Sequence, residues 1–262
     1  MIKTNYHTHH ELCNHAVGTT EDYVRHAIKH GFEALGMSDH AYNDRLEDTF
    51  RMREKEFPLY LTDVRNMQKK YQHQIKLHLG LECEYLEKNH AYYDRLLEEV
   101  EYLILGHHYV KDTKGRLISS FALSQPEEVI SYANEICEGI KTGYFSMVAH
   151  PDLFMCGYDS FDIACEKASH MIIKTAIDHQ VPLEFNANGI RRGIKKTSQG
   201  KRYPYPRQEF WEIVSKYQPK VILSSDAHAP ELLTDSTMTL ALEILKNLNI
   251  EIEQKLEFKK KL

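Results

Sequence analysis

Short apolar runs alternate with amphipathic helical patterns along the whole chain, and this alternation restricts the possible folds more than any other feature of the sequence. Apolar runs of this length, separated by helices, are typical of parallel strands joined by crossover helices. We identify seven such runs, at residues 4–9, 34–38, 75–82, 102–107, 145–150, 181–186 and 221–226. Each run ends in a histidine, a carboxylate or an asparagine, or, for residues 34–38, is followed directly by Asp39 and His40.

The chain length fits one α/β barrel, because 262 residues are within the range of single-domain barrels. No repeat, low-complexity tract or Gly/Ser linker divides the chain, so we expect one domain over residues 1–262. The spacing of Ser124-Gln-Pro-Glu127 predicts a capping box at the start of one connecting helix. The lysine-rich residues 251–262 predict a final helix, of which about ten residues fray.

Composition excludes several classes of protein. Five cysteines without a Cys-x-x-Cys pair indicate neither a disulfide framework nor a thiolate zinc site. The amino terminus lacks the apolar core of a signal peptide, and no apolar run reaches membrane-spanning length, so we expect a cytoplasmic protein without membrane contacts. A formal charge of −5 provides no basic footprint for nucleic acid. The oligomeric state stays open.

The polar residues at the ends of the runs predict a common site. In a parallel barrel the carboxyl ends of the strands meet at one face, and the active site lies there. His7 and His9 share one side of a strand because alternate side chains point the same way, and Asp226 and His228 repeat that spacing. The residues expected to converge are His7, His9, His40, Glu82, His107, His150, Asn186, Asp226 and His228, with His15 reaching the same face from a loop.

The types of these residues predict a metal cluster. One His-x-His pair is equally well explained as a surface or core pair, but terminal ligands in register with seven strands are a specific pattern. Imidazole and carboxylate without thiolate suit Zn²⁺, Mn²⁺ or Fe²⁺. The candidates exceed the four ligands of a tetrahedral ion, which indicates more than one ion. We expect Glu82 to bridge two ions, since a carboxylate has two oxygens that can each bind one.

Taken in order, the motifs resemble the PHP (polymerase and histidinol phosphatase) family. They are His7-x-His9, His15, Ser38-Asp-His40, Gly80-x-Glu82, Gly106-His-His108, His150-Pro-Asp152 and Ser225-Asp-Ala-His228. The resemblance covers residues 7–228 and implies a distorted (β/α)₇ barrel with three divalent transition-metal ions, zinc, manganese or iron. The implied ligands are His7, His9, Glu82 and Asp226 for one ion, Glu82, His107 and His150 for a second, and His15, His40 and His228 for a third.

Residues 184–193 and 203–206 are similar to the histidinol-phosphate phosphatase branch of that family. The branch implies hydrolysis of L-histidinol phosphate to L-histidinol and phosphate, a step of histidine biosynthesis. A hydroxide, available because metals lower the pKa of bound water, would attack phosphorus beside the bridging Glu82. Asp226 or His228 would protonate the leaving alkoxide. Asn188 departs from the branch pattern, so we assign it no role.

The substrate side of the site has five candidates. Arg191 and Arg192 follow the sixth run, and a guanidinium presents a planar fork that matches phosphate oxygens. We expect only one of them, Arg192, to bind phosphate, and a solvated basic loop is the alternative. Asn186, His108 and Tyr42 are further candidates by position. His10 alternates away from the ligands, and a structural role is expected for His26, His30, His73, His78, His90, His170 and His179.

Two other kinds of function stay open. The chain could be another PHP phosphoesterase or a nuclease that acts on single strands, although the negative charge and the lack of an aromatic-basic groove pattern argue against a nuclease. It could also be a metal-binding accessory domain without activity. The complete set of ligand positions argues against a degraded site of that kind.

Overall fold

The computed structural model describes residues 2–46 and 48–259 of the chain. Its strands are β1 (Thr4–Asn5), β2 (Ala34–Met37), β3 (Lys76–Cys83), β4 (Tyr102–Leu105), β5 (Tyr109–Lys111), β6 (Leu117–Ser119), β7 (Phe145–Val148), β8 (Leu183–Asn186), β9 (Lys195–Thr197), β10 (Gly200–Arg202) and β11 (Val221–Ser224). Seven strands form one sheet in the order β1-β2-β3-β4-β7-β8-β11, and every pair is parallel. These are the seven predicted runs.

The sheet closes almost completely into a barrel. A parallel bridge between Thr8 and Ala227 joins the chain beyond β1 to the chain beyond β11, and the amide of His9 donates to the carbonyl of Ala227 at 2.9 Å. The predicted fold, a single α/β domain with a distorted (β/α)₇ barrel, is therefore confirmed. The strands β5–β6 and β9–β10 form two antiparallel hairpins outside the barrel.

Helices cover the outer surface of the barrel. They are α1 (Thr20–Lys29), α2 (Phe57–Tyr71), α3 (His90–Glu99), α4 (Pro126–Lys141), α5 (Ile163–Asp178), α6 (Ala187–Arg191), α7 (Gln208–Tyr217) and α8 (Ser236–Asn247). The capping box of α4 joins Gln125 and Glu128, one residue later than predicted, because Pro126 occupies the first turn. Among the described residues, no helix is both long and apolar enough to cross a bilayer.

The barrel interior is filled by a small apolar cluster. Tyr102 lies at its centre, and Gly80 makes room for it, since a Cβ at residue 80 would lie 2.3 Å from the Tyr102 ring. The hydroxyl of Tyr102 donates to the carbonyl of Tyr6 at 2.7 Å, so its polar atom stays paired. The other members are Tyr6, Ile104, Met147, Ala149, Ile222 and Leu256, with Phe258 packed against them.

The carboxyl-terminal segment lies across the amino-terminal end of the barrel. The predicted final helix is wrong over residues 251–259, which have no helical structure, and residues 260–262 are outside the described part. The amide of Glu253 donates to the carbonyl of Val221 at 2.7 Å, and Phe258 stacks on Tyr102 with ring centroids 4.7 Å apart. The lysine-rich composition suggested a helix, but burial of Leu256 and partial burial of Phe258 favour a non-helical segment.

Candidate metal centre

The predicted ligands gather at the carboxyl ends of the strands. Glu82 lies on β3, while His7 and His9 follow β1, His40 follows β2, and His150 follows β7. Eight of the nine predicted ligands come together in one cluster: His7, His9, His15, His40, Glu82, His150, Asp226 and His228. The ninth, His107, does not.

One oxygen of Glu82 faces three imidazoles. Its Oε2 lies 3.2 Å from His7 Nε2, 3.4 Å from His9 Nε2 and 2.9 Å from His40 Nδ1. Two of these rings, His7 and His9, also face Asp226. Its Oδ1 lies 3.2 Å from His9 Nε2 and 3.7 Å from His7 Nε2. Two imidazoles and two carboxylates therefore surround one point.

The second oxygen of Glu82 faces a different pair of imidazoles. Its Oε1 lies 3.0 Å from His150 Nε2 and 3.6 Å from His108 Nε2. Gly106 allows this arrangement, because a Cβ there would lie 2.0 Å from Glu82 Oε1. Glu82 thus presents one oxygen to each of two groups of ligands, which is the geometry that a bridging role requires.

His15 and His228 form the third part of the cluster. Their Nε2 atoms are 2.8 Å apart, while each Nδ1 donates to a backbone carbonyl, that of Cys13 for His15 and that of Asp226 for His228, which leaves both Nε2 atoms without a proton in the neutral rings. Burial lowers the pKa of both rings, and that of His228 falls to about 4. Both are therefore neutral at pH 7, the form that binds metals. Ring nitrogens of His9, His40 and His228 lie within 4.8 Å of one another.

The prediction that His107 joins the cluster is wrong, and His108 takes that place. His107 Nε2 lies 3.2 Å from Oε2 of Glu135, and its ring packs against Tyr132. The reason is that β4 ends at Leu105 and, among the described residues, no bridge continues its pairing as the Thr8–Ala227 bridge does beyond β1, so strand alternation no longer decides which side residues 107 and 108 face. The substrate-binding role predicted for His108 is replaced by a position among the candidate ligands.

Carboxylates behind the cluster orient its imidazoles, and sequence reasoning missed their roles. Glu184 Oε1 lies 2.7 Å from His7 Nδ1, and Glu84 Oε1 lies 2.7 Å from His108 Nδ1. Each contact fixes the tautomer in which Nε2 is free for a metal. A signal was present, because Glu84 is two residues from Glu82 and directly follows β3, and Glu184 is two residues from Asn186 on β8.

Two more groups lie behind the candidate ligands. Cys13 Sγ is 3.3 Å from His9 Nδ1, so this buried thiol is placed to accept from the ring. As predicted, His10 points away from the cluster, where it pairs with Asp39 and packs on Tyr60.

Several atoms that face one another in the cluster have no hydrogen-bond partner among the described residues. Burial favours the neutral form of Glu82, but His40, His7 and His108 outweigh it and hold the pKa of this carboxylate well below its usual range. Unpaired buried polar atoms are costly. Divalent ions would satisfy them all, so the donor set fits a metal cluster. The buried atoms without a hydrogen-bond partner include His7 Nε2, His9 Nε2, His40 Nδ1, Glu82 Oε2 and Asp226 Oδ1.

A cavity of about 450 Å³ opens above the cluster. This volume is typical of small-molecule sites, which measure about 300–1,000 Å³. Besides candidate ligands, the walls consist of Phe50, Phe121, Asn188, Arg192 and Tyr205. The site therefore combines a metal-binding floor with aromatic walls and one guanidinium.

The PHP domain family model matches residues 5–256, almost the whole chain. The chain belongs to the PHP family. This confirms the resemblance read from the histidine motifs, and the matched range includes every candidate ligand.

Relatives of this PHP protein carry histidinol-phosphatase names. This chain is 24% identical over 239 residues to a protein named probable histidinol-phosphatase from Deinococcus radiodurans, and the match covers 86% of this chain and 85% of the relative. It is 22% identical over 262 residues to the histidinol-phosphatase of Bacillus subtilis, and that match covers 87% of this chain and 94% of the relative. Among solved structures, its fold matches a Lactococcus lactis histidinol phosphate phosphatase complexed with zinc, L-histidinol and phosphate. That match has a TM-score of 0.74 and 15% identity, and it covers 97% of this chain and 98% of the other.

The two arginines of this PHP protein's α6 region have different surroundings. Arg191 is held by Asp235, with Nε 2.7 Å from Oδ2, and it also donates to the carbonyls of Ser225 and Leu232. It does not line the cavity, so this candidate for phosphate binding has a structural role instead. Arg192, the arginine expected to bind phosphate, does line the cavity. Arg191 ends α6 and Arg192 follows it, so the two side chains leave the helix in directions roughly 100° apart.

Asn186 and Tyr42 are not on the cavity wall. The amide of Asn186 is used within the protein, since Nδ2 donates to Glu184 at 2.8 Å and to Asp226 at 3.1 Å. Tyr42 packs on Phe57 and Tyr92 in a different part of the surface. Their predicted contact with substrate is therefore wrong. The seven histidines expected to be structural also lie outside this cavity.

The surroundings of Asp226 and His228 favour metal binding over proton donation. Burial opposes ionisation of Asp226, but His7 and its neighbours outweigh it and hold the pKa of this carboxyl well below its usual range. Burial and the nearby His9 lower the pKa of His228 to about 4. Neither group carries an acidic proton at neutral pH, so the electrostatics do not support the predicted role as general acid.

Proposed function

We propose that this PHP protein hydrolyses L-histidinol phosphate to L-histidinol and phosphate, with divalent metal ions bound by the cluster. The observation that carries the proposal is the set of buried, unpartnered ligand atoms beneath a cavity with a guanidinium on its wall. The names of the relatives, and the L-histidinol and phosphate bound to the Lactococcus lactis protein, support this choice of substrate.

Three ions are proposed, with Glu82 as the bridge between two of them. The distances to its two oxygens support this role. The second set differs from the one implied by the family resemblance, because His108 replaces His107. The proposed sets are His7, His9, Glu82 and Asp226 for the first ion, Glu82, His108 and His150 for the second, and His15, His40 and His228 for the third.

When bound, divalent ions would supply an activated water and neutralise charge on the phosphoryl oxygens. Arg192 is placed to bind the same phosphate from the wall. Its Nε donates to the hydroxyl of Tyr205 at 2.9 Å, and its guanidinium lies 4.9 Å from the ring of Phe121. These contacts hold the guanidinium plane and leave its terminal nitrogens for a bidentate interaction.

The approach of Tyr205 to Arg192 depends on Gly189. A Cβ at residue 189 would lie 2.0 Å from the carbonyl oxygen of Tyr205, so only glycine leaves room for this segment.

Asn188, which the sequence left without a role, lines the cavity and donates to Asp226 Oδ2 at 3.2 Å. It leaves Oδ1 of Asp226 free to face the imidazoles and so helps to orient that carboxylate.

The test of the substrate is a comparison of L-histidinol phosphate with p-nitrophenyl phosphate in the metal-loaded protein. We expect L-histidinol phosphate to have a kcat/KM at least about 100-fold higher, equivalent to about 2.7 kcal/mol. The aryl ester has the better leaving group, so this preference can arise only from contacts in the cavity that orient the substrate.

Each other result corresponds to a different function. Comparable rates would identify a general phosphoesterase, and faster degradation of single-stranded DNA would identify a nuclease. Bound metal without any hydrolysis would identify an accessory domain. Full activity after prolonged chelation would contradict the metal-dependent mechanism, whereas the proposal expects activity to be lost and then restored by Zn²⁺ or Mn²⁺.

A further inference from the structure

A buried arginine, Arg51, lies next to the metal centre without contacting it. Only 5% of its surface is exposed. Its Nε lies 2.6 Å from Oδ2 of Asp48, and its Nη2 lies 2.7 Å from Oε1 of Glu84. A buried guanidinium is tolerated only when it is paired in this way, so removing a partner would leave an uncompensated charge.

Glu84 connects Arg51 to a candidate metal ligand. Its Oε1 accepts from both Arg51 and His108 Nδ1, each at 2.7 Å, and its Oε2 accepts from the backbone amide of His108 at 2.7 Å. The carboxylate therefore holds both the ring and the backbone of His108. The guanidinium in turn holds the carboxylate, since without it one side of Glu84 would have no charged partner.

The same arginine supports one wall of the cavity. Phe50 precedes it and lines the cavity, and the Arg51 guanidinium carbon lies 4.9 Å from the Phe50 ring. The Arg51 carbonyl accepts from Nδ2 of Asn14 at 2.8 Å, which anchors the backbone beside Phe50. The Arg51 side chain thus contacts both Phe50 on this wall and, through Glu84, the group that orients His108.

We propose that Arg51 is a positioning residue with two effects. It supports Phe50 on the cavity wall, and through Glu84 it holds the His108 ring in the orientation that metal binding requires. The inference rests on the proposed function, because it takes His108 as a metal ligand. It predicts that loss of Arg51 weakens the binding of one metal ion and the binding of substrate together. Replacing a group that orients a metal ligand typically lowers the metal affinity by about 10- to 100-fold.

The first experiment measures metal retention and steady-state kinetics of Arg51→Met. A graded series of chelators extracts the most weakly bound metal ion first. We expect the affinity of Arg51→Met for that ion to be about 10- to 100-fold lower than the affinity of the wild type. At saturating metal, KM for L-histidinol phosphate should rise while kcat stays close to the wild-type value. Arg51→Lys should recover part of the metal affinity, because an ammonium can pair with Glu84 but lacks the fork that also reaches Asp48.

Matched variants separate this coupling from general loss of structure. Phe50→Ala should raise KM with a smaller loss of metal retention than Arg51→Met, because it keeps the Arg51–Glu84–His108 contacts and removes only ring packing against His40 and His108. Arg53→Met removes an exposed arginine whose side chain, among the described residues, pairs with Glu56 alone, and it should change neither quantity. Metal retention in Arg51→Met equal to that in Arg53→Met would overturn the proposal.

A second variant covers the case in which Arg51→Met fails to fold. Asp48→Asn keeps Arg51 and Glu84 but removes the charge that fixes the guanidinium Nε, so it should weaken metal retention in the same direction by a smaller factor. Wild-type metal retention in Asp48→Asn would overturn the coupling. Absence of bound metal in the wild-type protein would instead refute the proposed function, so the two failures are distinguishable.

Discussion

His7 and Glu184 form a fully buried pair in which the ring Nδ1 lies 2.7 Å from the carboxylate Oε1. The contact turns His7 Nε2 towards Glu82, 3.2 Å away. Burial lowers the pKa of the His7 ring, but the charges of Glu184, Asp226 and Glu82 outweigh it and raise that pKa well above its usual value. In the metal-free protein the ring is therefore protonated at neutral pH, and a metal must displace this proton.

Metal affinity should consequently rise with pH. Between about pH 6 and pH 8, competition by protons weakens and the apparent affinity for Zn²⁺ should increase. Glu184→Gln keeps an acceptor for His7 but removes the charge that raises its pKa, so the increase should be shallower. Zn²⁺ competition titrations at several pH values measure both slopes. An affinity independent of pH in the wild type would contradict this prediction.

Glu82→Ala should release more than one ion. The two oxygens of Glu82 face different groups of imidazoles, so both proposed ions would lose a ligand. Elemental analysis should approach three transition-metal ions per wild-type chain and fall by at least two in the variant, a count that follows from the proposed ligand sets. Loss of a single ion would show that Glu82 does not bridge.

Neighbouring histidines should behave in opposite ways. His108→Ala should lose bound metal and activity, because His108 Nε2 faces Glu82. His107→Ala should retain its metal and lose about 1–3 kcal/mol of unfolding free energy, because it removes a buried ring that packs on Tyr132. Metal content and thermal unfolding of both variants test the correction. Metal loss in His107→Ala alone would restore the original assignment.

Arg192→Ala should affect catalysis, and Arg191→Ala should affect stability. Loss of a phosphate-binding guanidinium should reduce kcat/KM by roughly 30- to 1,000-fold, about 2–4 kcal/mol. Arg191 binds Asp235 and two carbonyls, so its removal should cost about 1–3 kcal/mol of stability and change kcat/KM by less than about threefold. Small and equal effects on kcat/KM would indicate the solvated basic loop instead.

Phe258→Ala should destabilise the protein without changing its chemistry. The Phe258 ring stacks on Tyr102 at the end of the barrel opposite the cluster, and its partial burial suggests a loss of about 2 kcal/mol. The midpoint of thermal unfolding should fall by several degrees, about 2–4 °C per kcal/mol, at unchanged kcat/KM. Glu257→Ala, at an exposed neighbour paired with Lys220, is the control. Unfolding temperatures equal to that of the control would show that the tail does not support the barrel.

The side to which a residue near a strand end points was predictable where strand pairing continues beyond that end. His7 and Asp226 each lie two residues beyond a barrel strand, and the Thr8–Ala227 bridge continues the pairing there, so the spacing of two placed them correctly. His107 also lies two residues beyond its strand, β4, but among the described residues no bridge continues the pairing at that point, and the prediction was wrong there. The sequence predicted that only one of the two arginines binds phosphate, but the contact that holds Arg191 away from the cavity depends on Asp235, 44 positions further along the chain.

The sequence by itself determined the seven strands, the barrel and most of the ligand cluster. It could do so because strand periodicity and the common carboxyl-terminal face of a parallel barrel are local rules that apply to every strand. Only the tertiary structure decided which groups stand behind the ligands, as Glu184 does for His7, and how Arg51 reaches Glu84 across 33 positions of sequence. Those pairings depend on which buried charges the fold brings together, and no local pattern encodes that.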